Sequence, residues 1–486
     1  MEWNEQKYSH LMEDAAEWME DHRRELIQEL QSWASFPSVS RADLSAPGMP
    51  FGADCLQMLN VAMARGRAFG FDVINHQGYA ASLCWGDPEN SIGVIAHLDV
   101  VPEGEGWMYP PYGASYIPSH DVMIGRGVDD NKGSALAALF AIRYLRDSGY
   151  PMKHGLRMIC GLSEETGMQD MQHLRDSGMA FPKVSLVPDA GFPVNYGQKG
   201  SMDADLTLPC QGNLVAFDAG SVRNVIPDKA VCVVALPPEK VAHAVLPPDG
   251  SLTASITIEP CAEGTCITAH GRAGHAAFPQ GADNAIMRLC KVLDQSGILE
   301  GSCAHAIRQV AQLTADPYGQ SEGVSCKDDI SGDLTLVYGV AHLVDGTLHL
   351  MADCRYPIKA DGDQLERDLL THWQSRGAEV AAFDHSRPFY IPVDDPRVET
   401  LQKVFKLATC REDEPYTMGG GTYSRVVPNA ISFGPGMSWV KNDWSGILPP
   451  GHGHAHGPDE AVSIRKLTEC FRIYVAALAA LDDMMD

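Results

Sequence analysis

Carboxylates and imidazoles fall at a few tight spacings in this 486-residue chain. His97 and Asp99 lie two apart at the end of the apolar run 92–98. Asp129 and Asp130 directly precede Asn131-Lys132-Gly133, Glu164 and Glu165 are adjacent in Ser163-Glu164-Glu165-Thr166-Gly167, and Asp189 sits in Pro188-Asp189-Ala190. His452, His454 and His456 are spaced by two within the Gly/His-rich stretch 449–457. Imidazole nitrogen and carboxylate oxygen are the donors that bind zinc, manganese or cobalt. A carboxylate beside such an ion, but not bound to it, can take a proton from water. Each pattern alone has an ordinary structural explanation. His-x-Asp is commonly a satisfied polar pair, paired glutamates a solvated face, and Asp130 a helix N-cap. Their joint order along the chain is what points to a metal site.

Those residues need elements that bring them together. The run 92–98 is almost continuously apolar, as a strand covered on both faces should be. Strands are also predicted at 156–162 and 184–187, and an Ala/Leu-rich helix at 133–147. An amphipathic helix over 11–33 ends before Pro37. Strands alternating with helices imply an α/β layer with a largely parallel sheet, whose carboxyl ends form the usual ligand crevice. His97, Glu164, Glu165 and Asp189 each lie at or just beyond the end of such a strand. From about residue 196 the text turns richer in β-formers and proline, with strand candidates at 230–237, 252–258, 334–344 and 347–353 and a helix at 283–293. From about 388 the first style returns, with helices at 398–408 and 463–481 and a strand at 430–433. The expected organisation is a discontinuous catalytic domain, 1–195 plus 388–486, interrupted by an α+β lid at 196–387.

Composition narrows the function. There are 37 Lys and Arg against 63 Asp and Glu, a net charge of −26. That field repels a phosphate backbone, so nucleic-acid binding is not expected. The acidic N-terminal stretch lacks the basic start and apolar centre of a signal peptide, and the longest apolar run is too short to span a bilayer. The 13 cysteines, odd in number and without C-x-x-C pairs, read as reduced thiols of a cytoplasmic protein.

The stretches Ala96-His97-Leu98-Asp99-Val100-Val101-Pro102, Gly125-Arg126-Gly127-Val128-Asp129-Asp130-Asn131-Lys132-Gly133, Ser163 to Gly167, Pro188 to Ala190, Gly271 to Ala285 and His456 to Glu460 resemble, in order, those of the dinuclear zinc peptidases. That family includes carboxypeptidases, aminoacylases, a desuccinylase and cytosolic dipeptidases, and the resemblance is strongest to the bacterial peptidase V dipeptidases. It implies a catalytic α/β domain with a mixed, largely parallel sheet flanked by helices, and a ferredoxin-like lid, single or doubled. A lid doubled within one chain would replace a dimer partner, so a monomer is expected.

The resemblance also implies residue roles. His97 and Asp189 would be terminal ligands of one metal, Glu165 and His456 of the other, and Asp130 would bridge both. Counting back from Lys132-Gly133 selects Asp130, with Asp129 the alternative. The pattern of His followed four residues later by Glu selects His456, leaving His452 and His454 as loop residues or metal-delivery groups. Asp99 would orient His97 through its second ring nitrogen. Glu164 would be the general base. Two divalent ions about 4 Å apart repel strongly, and three carboxylates plus a bridging hydroxide neutralise them. Because ligation commits the charge of Glu165, its neighbour Glu164 must serve the water, and adjacent loop residues can point differently.

In the lid, His275 within Gly271 to Pro279 would donate to the developing oxyanion. Asn224 would face the cleft, and Arg355 would bind the substrate carboxylate through its guanidinium fork. The run Gly419-Gly420-Gly421 could cradle a carboxylate on its backbone N–H groups. The reading is a dipeptidase of two divalent metals, zinc foremost, that hydrolyses short unblocked peptides. The rivals are a deacylase acting on N-acyl amino acids with the same metals, and a non-catalytic metal- or peptide-binding protein.

Overall fold

The computed structural model describes residues 3–245, 255–440 and 444–485, and they form two compact units. The first comprises Met1–Tyr196, Ile391–Tyr416 and Gly421–Asp486, and the second Gly197–Tyr390 and Thr417–Gly420.

The first unit is a mixed α/β layer. Six strands of its sheet run in the order Asp72–His76, Ala80–Trp85, Gly155–Gly161, Ser91–His97, Ser185–Val187, Ala430–Ser432. The first two strands are antiparallel additions, while the last four pair in parallel. Every residue of Ser91–His97 is buried, so the continuous apolar run does mark a strand covered on both faces. His97 is the last residue of that strand and pairs with Gly161, the last of its neighbour. Three adjacent parallel strands therefore end side by side, and the chain continues from them into Leu98-Asp99, Leu162 to Glu165 and Pro188-Asp189. Helices Glu5–Ala34, Lys132–Asp147 and Ile464–Met484 pack together through Leu26, Leu30, Leu136, Phe140, Phe471 and Leu478, all fully buried. The helix Ala53–Ala68 and the strand pair 72–85 were not expected from the sequence.

The second unit is built on an antiparallel sheet of eight strands among the described residues. Their order is Ile256–Cys261, Gly264–His270, Lys229–Val234, Leu214–Ala219, Thr335–Val344, Thr347–Tyr356, Gly200–Pro209, Glu379–Ser386. Along Gly200–Pro209 burial alternates strictly, with Met202, Ala204, Leu206 and Leu208 inward. Such a strand faces a core on one side only. Helices Pro238–Val245, Ala285–Ser296, Ser302–Leu313 and Gly362–Ser375 supply Val241, Leu289, Leu293, Ile307, Val310, Leu369 and Trp373 to that core. Eight strands and four helices are twice the complement of one ferredoxin-like layer, which matches the doubled form. Of the strand expected at 252–258, residues 252–254 lie outside the described residues, and the strand is present from Ile256. Among the described residues no helix is long and apolar enough to cross a membrane, and no disulfide joins the cysteines.

Candidate metal centre

The carboxyl ends of the parallel strands gather the predicted ligands of the first unit. His97 is buried, and its Nε2 lies 3.0 Å from Asp130 Oδ1 and 3.8 Å from Asp189 Oδ1. His456 Nε2 lies 3.1 Å from the other Asp130 oxygen, Oδ2, and 3.0 Å from Glu165 Oε1. Asp130 thus stands between two imidazoles, one on each carboxylate oxygen. Donor atoms of His97, Asp130 and Glu165 lie within 4.8 Å of one another, and so do those of His97, Glu164 and Asp189. Adjacent glutamates therefore join different groups.

The alternatives left by the sequence have different partners in the structure. Asp129 points away from the cluster to Lys466, whose Nζ is 2.5 Å from its Oδ1. His452 is held by Asp459, Nδ1 to Oδ2 at 2.7 Å, and His454 is exposed. Only His456 of the three faces Asp130 and Glu165. It sits at φ +63°, a left-handed conformation unusual for a residue with a side chain.

The supporting bonds run through backbone. His97 Nδ1 lies 3.0 Å from the main-chain oxygen of Asp99 and 3.4 Å from its Oδ1. Donation from Nδ1 leaves the Nε2 lone pair for a cation. The Asp99 carboxylate accepts the N–H groups of Glu164 at 3.2 Å and Glu165 at 3.1 Å. Asp170 accepts those of Leu162 at 2.5 Å and Ser163 at 3.0 Å, and the Tyr423 hydroxyl at 2.6 Å. Glu460 accepts those of Asp129 at 2.9 Å and Asp130 at 3.0 Å. Asn131 Nδ2 donates to Asp189 Oδ1 at 3.0 Å. Sequence patterns give no role to Asp170 or Lys466, and Arg126 stands only within the Gly125 to Gly133 motif. Glu460 likewise stands only within the His456 motif, and the flanking glycines of Gly125-Arg126-Gly127 are the one sign of a tightly built backbone.

Electrostatics describe a site short of positive charge. Burial, then the nearby Asp189 carboxylate, pushes Glu164 well above the ordinary carboxylate range. Burial and Asp130 push Glu165 up to about 7. Burial would raise Asp130, but the hydrogen bonds from His456 and His97 outweigh it and hold it low. Hydrogen bonds to Asp130 and Glu165 raise His456 to about 11. Burial would lower His97, and its bonds to Asp130 and Asp189 outweigh that and raise it. Four carboxylates and two imidazoles converge, an N/O donor set of the kind that binds divalent cations. The residues fit divalent metal ions.

The other predicted residues lie in the second unit, apart from Gly421. Asn224 and His275 are neighbours there, through the backbone bond from Ala276 N–H to Asn224 O at 2.9 Å and the pairing of Val225 with His275. His275 Nδ1 accepts the Ala277 N–H at 3.1 Å, so its proton resides on Nε2. Burial and the Arg355 charge lower its pKa, which favours the neutral ring. Arg355 makes a bidentate pair with Asp353, at 2.8 and 2.6 Å, and donates from Nη1 to Gly419 O at 3.0 Å. A guanidinium carries five N–H donors, so one remains on each terminal nitrogen. Gly420 stays with the second unit, while Gly421 begins the return to the first, just before the short helical turn Tyr423–Arg425.

Comparison with known proteins finds relatives that match nearly the whole chain. The chain is 29% identical over 470 residues to the protein named "Putative dipeptidase YtjP" of Bacillus subtilis, covering 94% of this chain and 97% of that one. It is 27% identical over 422 residues to the Beta-Ala-Xaa dipeptidase of Lactobacillus delbrueckii subsp. lactis, covering 84% and 88%. The fold is similar to that of the di-peptidase Dug1p from Saccharomyces cerevisiae, with a TM-score of 0.59 at 12% identity, covering 97% of this chain and 98% of that one. The profile of peptidase family M20/M25/M40 matches residues 93–480, a span that contains every candidate ligand. The chain belongs to peptidase family M20/M25/M40 and is a hydrolase acting on peptide bonds.

Proposed function

We propose that this chain is a metal-dependent dipeptidase that cleaves the peptide bond of short, unblocked peptides. The observation that carries the reading is Asp130, whose two oxygens each face an imidazole, with Asp189 on the His97 side and Glu165 on the His456 side. His97, Asp130 and Asp189 would hold one divalent ion, and Glu165, Asp130 and His456 the other. Zinc suits this mixed donor set, and manganese or cobalt would also be accepted. Bound there, the ions would polarise the substrate carbonyl and acidify water.

The chain's own groups supply the rest. Glu164 is half-buried beside the ligands with a raised pKa, which suits a base that takes a proton from water and passes it to the leaving nitrogen. Asp99 and Asp170 hold the Glu164 loop still. His275, neutral with its proton on Nε2, is in the donor form that an oxyanion needs. Arg355 keeps one N–H on each terminal nitrogen, enough for the two oxygens of a peptide C-terminus. The names of the Lactobacillus and Bacillus relatives support a dipeptide substrate.

The test is a panel of unblocked dipeptides and N-acyl amino acids, assayed after chelator treatment and after returning zinc, manganese or cobalt. Dipeptides should be the preferred substrates, inert with the stripped protein and turned over once metal is restored. A dominant preference for the acyl compounds, or undiminished turnover after stripping, contradicts the reading.

A further inference from the structure

His456 and Asp130 are joined twice. Directly, Nε2 of the first meets Oδ2 of the second at 3.1 Å. Indirectly, a circuit of buried groups connects their backbones. The Asp130 N–H donates to Glu460 Oε1 at 3.0 Å, and the Asp129 N–H shares that oxygen at 2.9 Å. The other oxygen, Oε2, receives Arg126 Nη1 at 2.7 Å. Arg126 then donates from Nη2 to the main-chain oxygens of His456 at 3.3 Å, Glu103 at 3.2 Å and Pro102 at 3.4 Å. Glu460 is 0% exposed and Arg126 1%. A buried ion pair is weak evidence for stability, because desolvation offsets much of its attraction. This pair is joined at both ends to the two ligand loops.

The His456 loop also needs such an anchor. His456 at φ +63° and Asp459 at φ +51° both adopt the left-handed conformation, which persists only where neighbours over-determine it. Asp459 is clipped to His452 and to the N–H groups of Met108 and Tyr109. Those bonds hold the loop to the body of the unit. The segment that follows pairs with the strand before Asp130, Ala461 with Ile124, and Gly125 N–H donates to Glu460 O at 2.8 Å; the Arg126–Glu460 pair is the side-chain tie that reaches both the His456 carbonyl and the Asp130 N–H.

We infer that Arg126 and Glu460 are positioning residues that set the spacing of His456 from Asp130, and so tune one of the two metal sites selectively. This rests on the dinuclear reading above. The site toward His97 and Asp189 takes those two ligands from strand ends and shares with the circuit only Asp130. Loss of the pair should therefore weaken the ion shared by His456, Asp130 and Glu165 and spare the other.

The experiment is calorimetric titration of zinc into the chelator-stripped full chain. Wild type should bind in two steps, and His456→Ala identifies the step that belongs to this histidine. Glu460→Gln keeps an acceptor for the two N–H groups but turns an amide NH2 toward Arg126. Arg126→Lys keeps the charge but cannot reach both Glu460 and the His456 carbonyl. Each should weaken the His456 step about tenfold or more and leave the other within about twofold, as outer-sphere changes do. Turnover should return at saturating zinc with the dipeptide KM unchanged. Equal weakening of both steps, no weakening of either, or failure of both variants to fold would each overturn the inference. If wild type itself binds fewer than two ions, the dinuclear reading fails instead.

Discussion

Asp99 and Asp170, from different segments, together accept four consecutive backbone N–H groups, those of residues 162, 163, 164 and 165. The loop that carries both glutamates is thereby held by two buried carboxylates rather than by a strand. Its geometry is a fixed property of the site. Removing an acceptor should disturb Glu164 and Glu165 without touching either side chain.

Asp99→Asn retains the volume and one oxygen but sets an amide NH2 against a backbone N–H. Turnover should fall about 10- to 100-fold with KM changed little, the usual scale for groups one step removed from a metal. Steady-state kinetics on a dipeptide checks this. Wild-type kcat in the Asp99→Asn variant would show that the loop keeps its shape without this acceptor.

Glu164→Ala should retain the full metal content while turnover drops by about 10²- to 10⁴-fold, the range for removal of a general base. Glu165→Ala should lower metal content as well. Elemental analysis beside the kinetics separates them. Metal loss in the Glu164→Ala variant would place that residue among the ligands.

Asp129 and Asp130 are neighbours with unlike partners, Lys466 and the two imidazoles. Asp129→Ala leaves a largely buried ammonium unpaired. It should cost on the order of 2 kcal/mol, between the values for exposed and fully buried pairs, while metal is kept. Asp130→Ala should lose metal and activity. Thermal melts with metal analysis test both, and the claim fails if the two variants behave alike.

The second unit contains a buried acid that links stability to pH. Glu322 accepts the Tyr338 hydroxyl at 2.9 Å, Tyr338 accepts Trp373 Nε1–H at 2.9 Å, and Glu322 Oε2 has no partner among the described residues. Burial lifts its pKa from 4.5 to about 8. Between those values the folded chain keeps a proton that the unfolded chain has lost. Stability from this group therefore falls as pH rises from about 4.5 to 8, and is level outside that window. Glu322→Gln keeps the acceptor and removes the titration. Its melting temperature should fall less steeply than wild type across the window, and equal slopes would refute the assignment.

The sequence made the frame legible where burial leaves a pattern. The apolar run before His97, the Ala/Leu-rich text of Lys132–Asp147 and the amphipathic Glu5–Ala34 each became the element expected. The helix Ala53–Ala68 left no such mark, because its buried positions are Cys55, Met58, Leu59, Ala62, Met63 and Gly66, mostly small and sulfur-bearing residues without a strong stripe. In the site, the ligand candidates came from motif order, whereas spacing alone left Asp129 and three histidines open. The supporting shell was hidden for a physical reason. Asp170 and Glu460 bind backbone N–H groups, as Asp99 does beyond its expected place beside His97, and a main-chain donor leaves no residue type for a pattern to show. Arg126 and Glu460 are also 334 residues apart.

The most direct test of the central claim is anomalous diffraction from crystals of the zinc-loaded protein. Two peaks should flank Asp130, one about 2.0–2.2 Å from His97 Nε2 and an Asp189 oxygen, the other equally close to His456 Nε2 and a Glu165 oxygen. Zinc bound elsewhere, or a single peak with Asp130 outside its coordination sphere, would contradict the account.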